Sequence, residues 1–106
     1  MVIDQHGNIY IATLAGVSYW ITKLNADSSV VWSVTSSLSV MEQSMKVSPD
    51  STFIIFTDGN SVMVKLDTST GLNLGSVYAG NYSISDLYAS AISFDSSTIV
   101  VGGTDN

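Results

Sequence analysis

The chain has no cysteine, no arginine, one proline and one histidine among 106 residues. Its cations are Lys23, Lys46 and Lys65 alone. Without cysteine there are no disulfides, thiolate metal sites or thiol nucleophiles. Three scattered lysines and a net charge of -6 give no basic patch to neutralise phosphates, so no nucleic-acid partner is expected. No apolar run approaches the ~20 residues of a spanning helix, so no membrane insertion is expected. Met1-Val2-Ile3 runs straight into a polar turn rather than a signal-peptide pattern. The targeting segment of a secreted form is therefore expected outside this chain. Charged residues make up 11% of the chain, well below the usual roughly 25%. With 45% hydrophobic residues the chain does not read as disordered. Serine and threonine, about a quarter of the residues, fill the polar positions instead.

What the chain does contain is a repeat. Asp4-Gln5-His6-Gly7-Asn8 leads into Ile9-Tyr10-Ile11-Ala12-Thr13. Ser48-Pro49-Asp50-Ser51-Thr52 leads into Phe53-Ile54-Ile55-Phe56-Thr57. Phe94-Asp95-Ser96-Ser97-Thr98 leads into Ile99-Val100-Val101-Gly102. Each is a polar turn before a short apolar run. The runs start at Ile9, Phe53 and Ile99, 44 and then 46 residues apart. That is the period of a four-stranded propeller blade.

The strands from Ile9, Phe53 and Ile99 are apolar on both faces and need cover on both sides. In Val62-Met63-Val64-Lys65-Leu66-Asp67, one face carries Val62, Val64 and Leu66 and the other Lys65 and Asp67, which suits a strand nearer the rim. Asp58-Gly59-Asn60 is hairpin chemistry. Thr68-Ser69-Thr70-Gly71 supplies a glycine for positive φ, and Asn25-Ala26-Asp27-Ser28-Ser29 is a third turn of this kind. Strands are thus predicted near 8–14, 18–25 and 30–35, near 43–48, 52–57, 61–67 and 72–78, and near 88–93 and 98–102. Leu38, Met41 and Met45 have helical spacing, but a connector entering an inner strand fits this segment better. The fold class expected is all-β, a partial β-propeller of about two and a half four-stranded antiparallel blades. The blades cover 1–36 in part, about 37–79, and 80–106 in part.

At these residues the chain resembles the SBBP type of short β-propeller repeat and, more loosely, PQQ-like and YVTN-type propellers. Gly7-Asn8-Ile9-Tyr10-Ile11 is similar to the turn and strand of that repeat, and so are Thr22-Lys23-Leu24-Asn25 and Val31-Trp32-Ser33. Asp86 followed by Ala91-Ile92-Ser93-Phe94-Asp95-Ser96-Ser97 resembles its later part. Leu66-Asp67-Thr68-Ser69-Thr70-Gly71 resembles a PQQ-like turn. The chain departs by placing serine where the first repeat has Gly7. It also carries Gly75 near the counterpart of Val34, with no tryptophan in the second repeat. The resemblance implies a fold and carries over no catalytic residue.

Propellers have 4 to 8 blades. Two part-built blades at the ends imply further blades of the same chain or other protein subunits as partners. His6 reads as a solvated turn residue, since a metal centre needs several converging ligands. Asp4, Asp50, Asp58, Asp67 and Asp95 read as turn residues that bond nearby N–H groups, with no calcium-loop pattern. No Gly-x-Ser-x-Gly occurs, and no catalytic residue, cofactor or metal site is expected. Trp20, Trp32, Tyr10, Tyr19 and Tyr82 fill the space between blades or, as the alternative, form an aromatic surface for glycans, with Trp20 and Trp32 its leading residues. Asn81-Tyr82-Ser83 is a sequon that marks Asn81 for N-glycosylation. With low charge and abundant serine and threonine it points to an extracellular or cell-surface protein, eukaryotic or bacterial. The function expected is a non-catalytic structural or interaction module. The alternatives are the propeller domain of a quinoprotein-dehydrogenase-like or lactonase-like enzyme, or a lectin-like glycan binder.

Overall fold

The computed structural model describes residues 1–16, 18–36, 40–58, 62–78, 86–93 and 95–104. Runs rich in valine, isoleucine, threonine and tyrosine form ten strands, and no helix occurs among the described residues. The strands are β1 (Val2–Ile3), β2 (Ile9–Ala15), β3 (Ser18–Leu24), β4 (Val30–Ser36), β5 (Val40–Val47), β6 (Phe53–Asp58), β7 (Val62–Asp67), β8 (Asn73–Tyr78), β9 (Asp86–Ile92) and β10 (Ile99–Thr104). β1 to β4 form one antiparallel sheet in chain order, and β5 to β8 form another. β9 and β10 pair as a two-stranded sheet.

Some sequence expectations change. The first sheet has four strands, not three, because Val2 and Ile3 pair with Tyr10 and Ile9 across the Asp4–Asn8 turn. Two residues are too short a run for period-2 patterning to reveal. The segment with helical spacing is strand from Val40 onward, paired with β6. β6 and β7 pair antiparallel, with Thr57 opposite Met63; Gly59 and Asn60 of the hairpin turn expected at Asp58-Gly59-Asn60 lie outside the described residues.

The turns that open the repeats share one backbone form. In each, a carbonyl accepts the N–H three residues on: Asp4 from Gly7 at 3.1 Å, Ser48 from Ser51 at 2.8 Å, Ser93 from Ser96 at 2.9 Å. The fourth residue is left-handed, at φ 83° for Gly7, 62° for Ser51 and 63° for Ser96. Serine thus stands in the second and third repeats where this backbone favours glycine. The turns then differ in length. Asp4 N–H closes on the Asn8 carbonyl, whereas Ser48 closes on Phe53 and Ser93 on Thr98. The closing residues Asn8, Phe53 and Thr98 are 45 residues apart both times.

That one residue decides which faces correspond, since a slip of one flips every side chain. Counted from the closing residues, Ile9 matches Ile54 and Ile99, and Tyr10 matches Ile55. The strands themselves start at Ile9, Phe53 and Ile99, 44 and 46 residues apart as expected, while their faces correspond at 45. Cross-strand register agrees: Ile9 lies opposite Leu24 as Ile54 lies opposite Leu66, and Tyr10 opposite Lys23 as Ile55 opposite Lys65. Trp32 lies opposite Lys23, and Gly75 lies opposite Lys65, so Gly75 is the counterpart of Trp32 rather than of Val34.

The core follows from these faces. Tyr10, Ala12 and Ile21 of the first sheet pack with Met45, Ile54, Phe56, Val64 and Leu66 of the second. The other face of the second sheet, with Phe53, Ile55 and Met63, packs against Ile92 and Ile99 of the third. β6 is therefore buried on both faces from Phe53 to Thr57, as its unbroken apolar run predicted. Each such aliphatic or aromatic side chain contributes about 1.5–3 kcal/mol of burial. In β7 Met63, on the face of Lys65 and Asp67, is buried as well.

Candidate functional site

The most elaborate side-chain constellation sits between the first two sheets. Asp4, in the opening turn, accepts at Oδ1 from the N–H groups of His6 (2.8 Å) and Asn8 (3.0 Å). Its Oδ2 accepts from the Asn8 amide at 3.1 Å and from the Tyr10 hydroxyl at 2.9 Å. Burial pushes the Asp4 carboxyl up, but these four donors together outweigh it and hold the group below the ordinary carboxylate value. Tyr10 is wholly buried. Burial, then the hydrogen bond to Asp4 and the Asp4 charge, push its phenol far above the ordinary tyrosine value, against a smaller opposing effect of Thr68.

Lys23 and Trp32 share the face of Tyr10. The Lys23 ammonium lies 5.7 Å from the Tyr10 ring centre, and the Trp32 ring is tilted against Tyr10 at 6.3 Å. Both then reach the second sheet at one atom. The Thr68 carbonyl accepts from Lys23 Nζ at 2.9 Å and from Trp32 Nε1 at 2.8 Å. Thr68 is itself fixed within the second sheet. Its N–H donates to the Thr52 carbonyl at 3.1 Å and its hydroxyl to the Ser51 carbonyl at 2.6 Å. Gly71, left-handed at φ 76°, approaches the indole closely; a Cβ there would come within 2.9 Å of Trp32. Such an arrangement holds two sheets in one relation. It presents no nucleophile beside a base, and among the described residues no group of three or more metal-ligating side chains gathers.

Among the described residues the second seam shows no such latch. Gly75 replaces Trp32 and leaves open space, and Lys65 lies over the Phe53 ring at 4.3 Å instead.

The turn aspartates behave as turn chemistry predicts. Asp50 accepts from the Ser48 hydroxyl, the Thr52 hydroxyl and the Thr52 N–H, which lower its carboxyl to about 2. Asp95 does the same with Ser97 and Ser93, also to about 2. Asp27 and Asp67 bond the N–H two residues on, from Ser29 and Ser69. The Asp58 side chain lies outside the described residues. Successive turns also touch: the Gln5 N–H reaches Ser51 Oγ at 3.4 Å, and the Asp50 N–H reaches Ser96 Oγ at 3.2 Å. His6 is exposed in its turn.

Neither a family model nor a curated protein matches this chain.

The two tryptophans are not brought together. Trp32 faces the second sheet, whereas Trp20 lies opposite Thr35 on the other face of the first sheet and is 37% exposed. Tyr19 is partly buried against the first core cluster. Asn81 and Tyr82 lie outside the described residues. The sequence pointed to Lys23 as a cation and to Thr68 as a turn residue, each within a repeat motif, but not to their meeting. Their meeting needs the register of two sheets, which the closing residue of one turn sets.

Proposed function

We propose that the chain is a β-propeller segment of the SBBP or PQQ-like kind, serving as a non-catalytic interaction module in an extracellular or cell-surface assembly. The observation that carries this reading is the direction of sheet stacking. The face of Tyr10 in the first sheet packs on the next sheet, and so does the matching face of Ile55 in the second. The face of Ile54 packs on the preceding sheet, and so does that of Ile99. One interface used twice in one direction, 45 residues apart, is the way propeller blades follow one another. The polar chemistry between the sheets satisfies buried groups and holds sheets together, which favours a scaffold over an enzyme. The low charge and the sequon at Asn81 favour the extracellular setting, with glycan carried on the protein.

Electron microscopy of the native protein, with its intact mass, tests the architecture. A ring of four to eight radial sheets is expected; an elongated stack or a flat two-layer particle would sink the propeller. A glycan array tests the role of Trp20, the exposed tryptophan. Unchanged and negligible binding by the parent chain and Trp20→Ala fits the scaffold. Specific binding lost in a folded Trp20→Ala protein would replace it with a lectin.

A further inference from the structure

We propose that Ser51 and Ser96 are clasps between sheets: each stands in the left-handed position of its opening turn so that its hydroxyl receives an N–H from the opening turn before it. Three successive turns are thereby strapped one to the next. These contacts join neighbouring sheets whether or not the stack closes into a ring.

Three serines stand where the backbone favours glycine. Ser28, Ser51 and Ser96 are left-handed, at φ 72°, 62° and 63°. A Cβ makes this conformation costly. The opening turn itself does not need a hydroxyl there, because Gly7 fills the same position of the first turn at φ 83°. What Ser51 and Ser96 share lies outside their own turns. Ser51 Oγ accepts the Gln5 N–H at 3.4 Å, and Ser96 Oγ accepts the Asp50 N–H at 3.2 Å. Each donor is 46 residues back, in the opening turn of the preceding sheet. One bond crosses the first seam and the other crosses the second.

The two donors occupy different places in their turns, and the cause is covalent. Gln5 is the second residue of the first turn. The second residue of the next turn is Pro49, which has no N–H to give. Asp50, the residue after it, donates instead. Its side chain takes part as well. The Asp50 carboxyl is lowered first by Ser48, then by Thr52, and to a smaller degree by Ser96. The Ser96 hydroxyl thus meets both the N–H and the carboxyl of one residue. Ser51 is tied further. Its carbonyl accepts the Thr68 hydroxyl at 2.6 Å, and the Thr68 carbonyl receives Lys23 and Trp32 of the first sheet. Clasp and latch of the first seam therefore meet at Ser51. Ser28, in the turn between β3 and β4, is the control: among the described residues its hydroxyl bonds to no other turn.

Hydrogen exchange at single amides of the full chain, followed by NMR, tests the clasps. Ser51→Gly suits the left-handed backbone and removes one hydroxyl. It is expected to speed exchange at the Gln5 amide roughly 5-fold, the equivalent of one net hydrogen bond. Ser96→Gly is expected to do the same at the Asp50 amide and to leave Gln5 as it was. Ser28→Gly is expected to change neither. All three substitutions relieve the same backbone strain and loosen the unfolded chain alike. Ser51→Gly and Ser96→Gly are therefore expected to unfold at lower urea than Ser28→Gly. Parent amides at Gln5 and Asp50 that exchange as fast as in an unstructured chain would overturn the clasps. So would Ser51→Gly and Ser96→Gly proteins at least as stable as Ser28→Gly. If one variant fails to fold, the other makes the same comparison at its own seam; if both fail, the parent amide rates decide.

Discussion

Tyr10 donates to a carboxylate that is itself nearly buried, so its hydroxyl is worth more than a neutral hydrogen bond. Tyr10→Phe removes one of four donors to Asp4 without leaving the carboxylate bare. A loss of about 2 kcal/mol in urea unfolding at pH 7 is expected. The sign with pH follows from Asp4, whose carboxyl is lowered by folding. Its contribution is full above the unfolded value near pH 4 and fades as pH falls through the folded value. The gap between parent and Tyr10→Phe therefore shrinks below about pH 4; a gap constant down to pH 2 would rule the bond out as its source. Gly71→Ala tests the other side of the same seam. It combines a left-handed backbone with a contact at 2.9 Å to the Trp32 ring. A loss of about 2–3 kcal/mol is expected, with a change in Trp32 emission.

At the level of strands, equivalent positions have unequal worth because only some faces are covered. Ile54 is wholly buried, and its counterpart Ile9 is half-buried. Ile54→Ala is expected to destabilise by about 3–4 kcal/mol and Ile9→Ala by less than about 1.5 kcal/mol, both measured at low protein concentration. Equal losses would mean that Ile9 is as fully covered as Ile54. Much of this level was legible in the sequence. Unbroken apolar runs marked β2, β6 and β10, and Asp and Gly marked the turns, because local backbone chemistry needs no distant partner. The pairing of Val2–Ile3 was not legible, since two residues carry no period. Nor was the parity of the faces. The first opening turn closes one residue earlier than the second, and that difference is set by backbone hydrogen bonds on which side-chain composition is silent. Lys23, Trp32 and Thr68 were visible singly, but their convergence depends on that parity.

Across the whole molecule, the two seams differ in how they are held. The first joins two four-stranded sheets through Lys23, Trp32 and Thr68 as well as through apolar contact. The second offers Gly75 in place of Trp32. The molecule therefore opens in order rather than all at once, from the weaker seam inward. Amide exchange gives the test. Protection is expected to be greatest in β6 and β7, to fall in β2 and β3, and to be least in β9 and β10. Trp32→Phe removes one of two donors to the Thr68 carbonyl, and it lowers protection in β2 and β3 while leaving β9 and β10 as they were. If Trp32→Phe instead exposes all ten strands together, the seams are not independent and the sheets unfold as one unit.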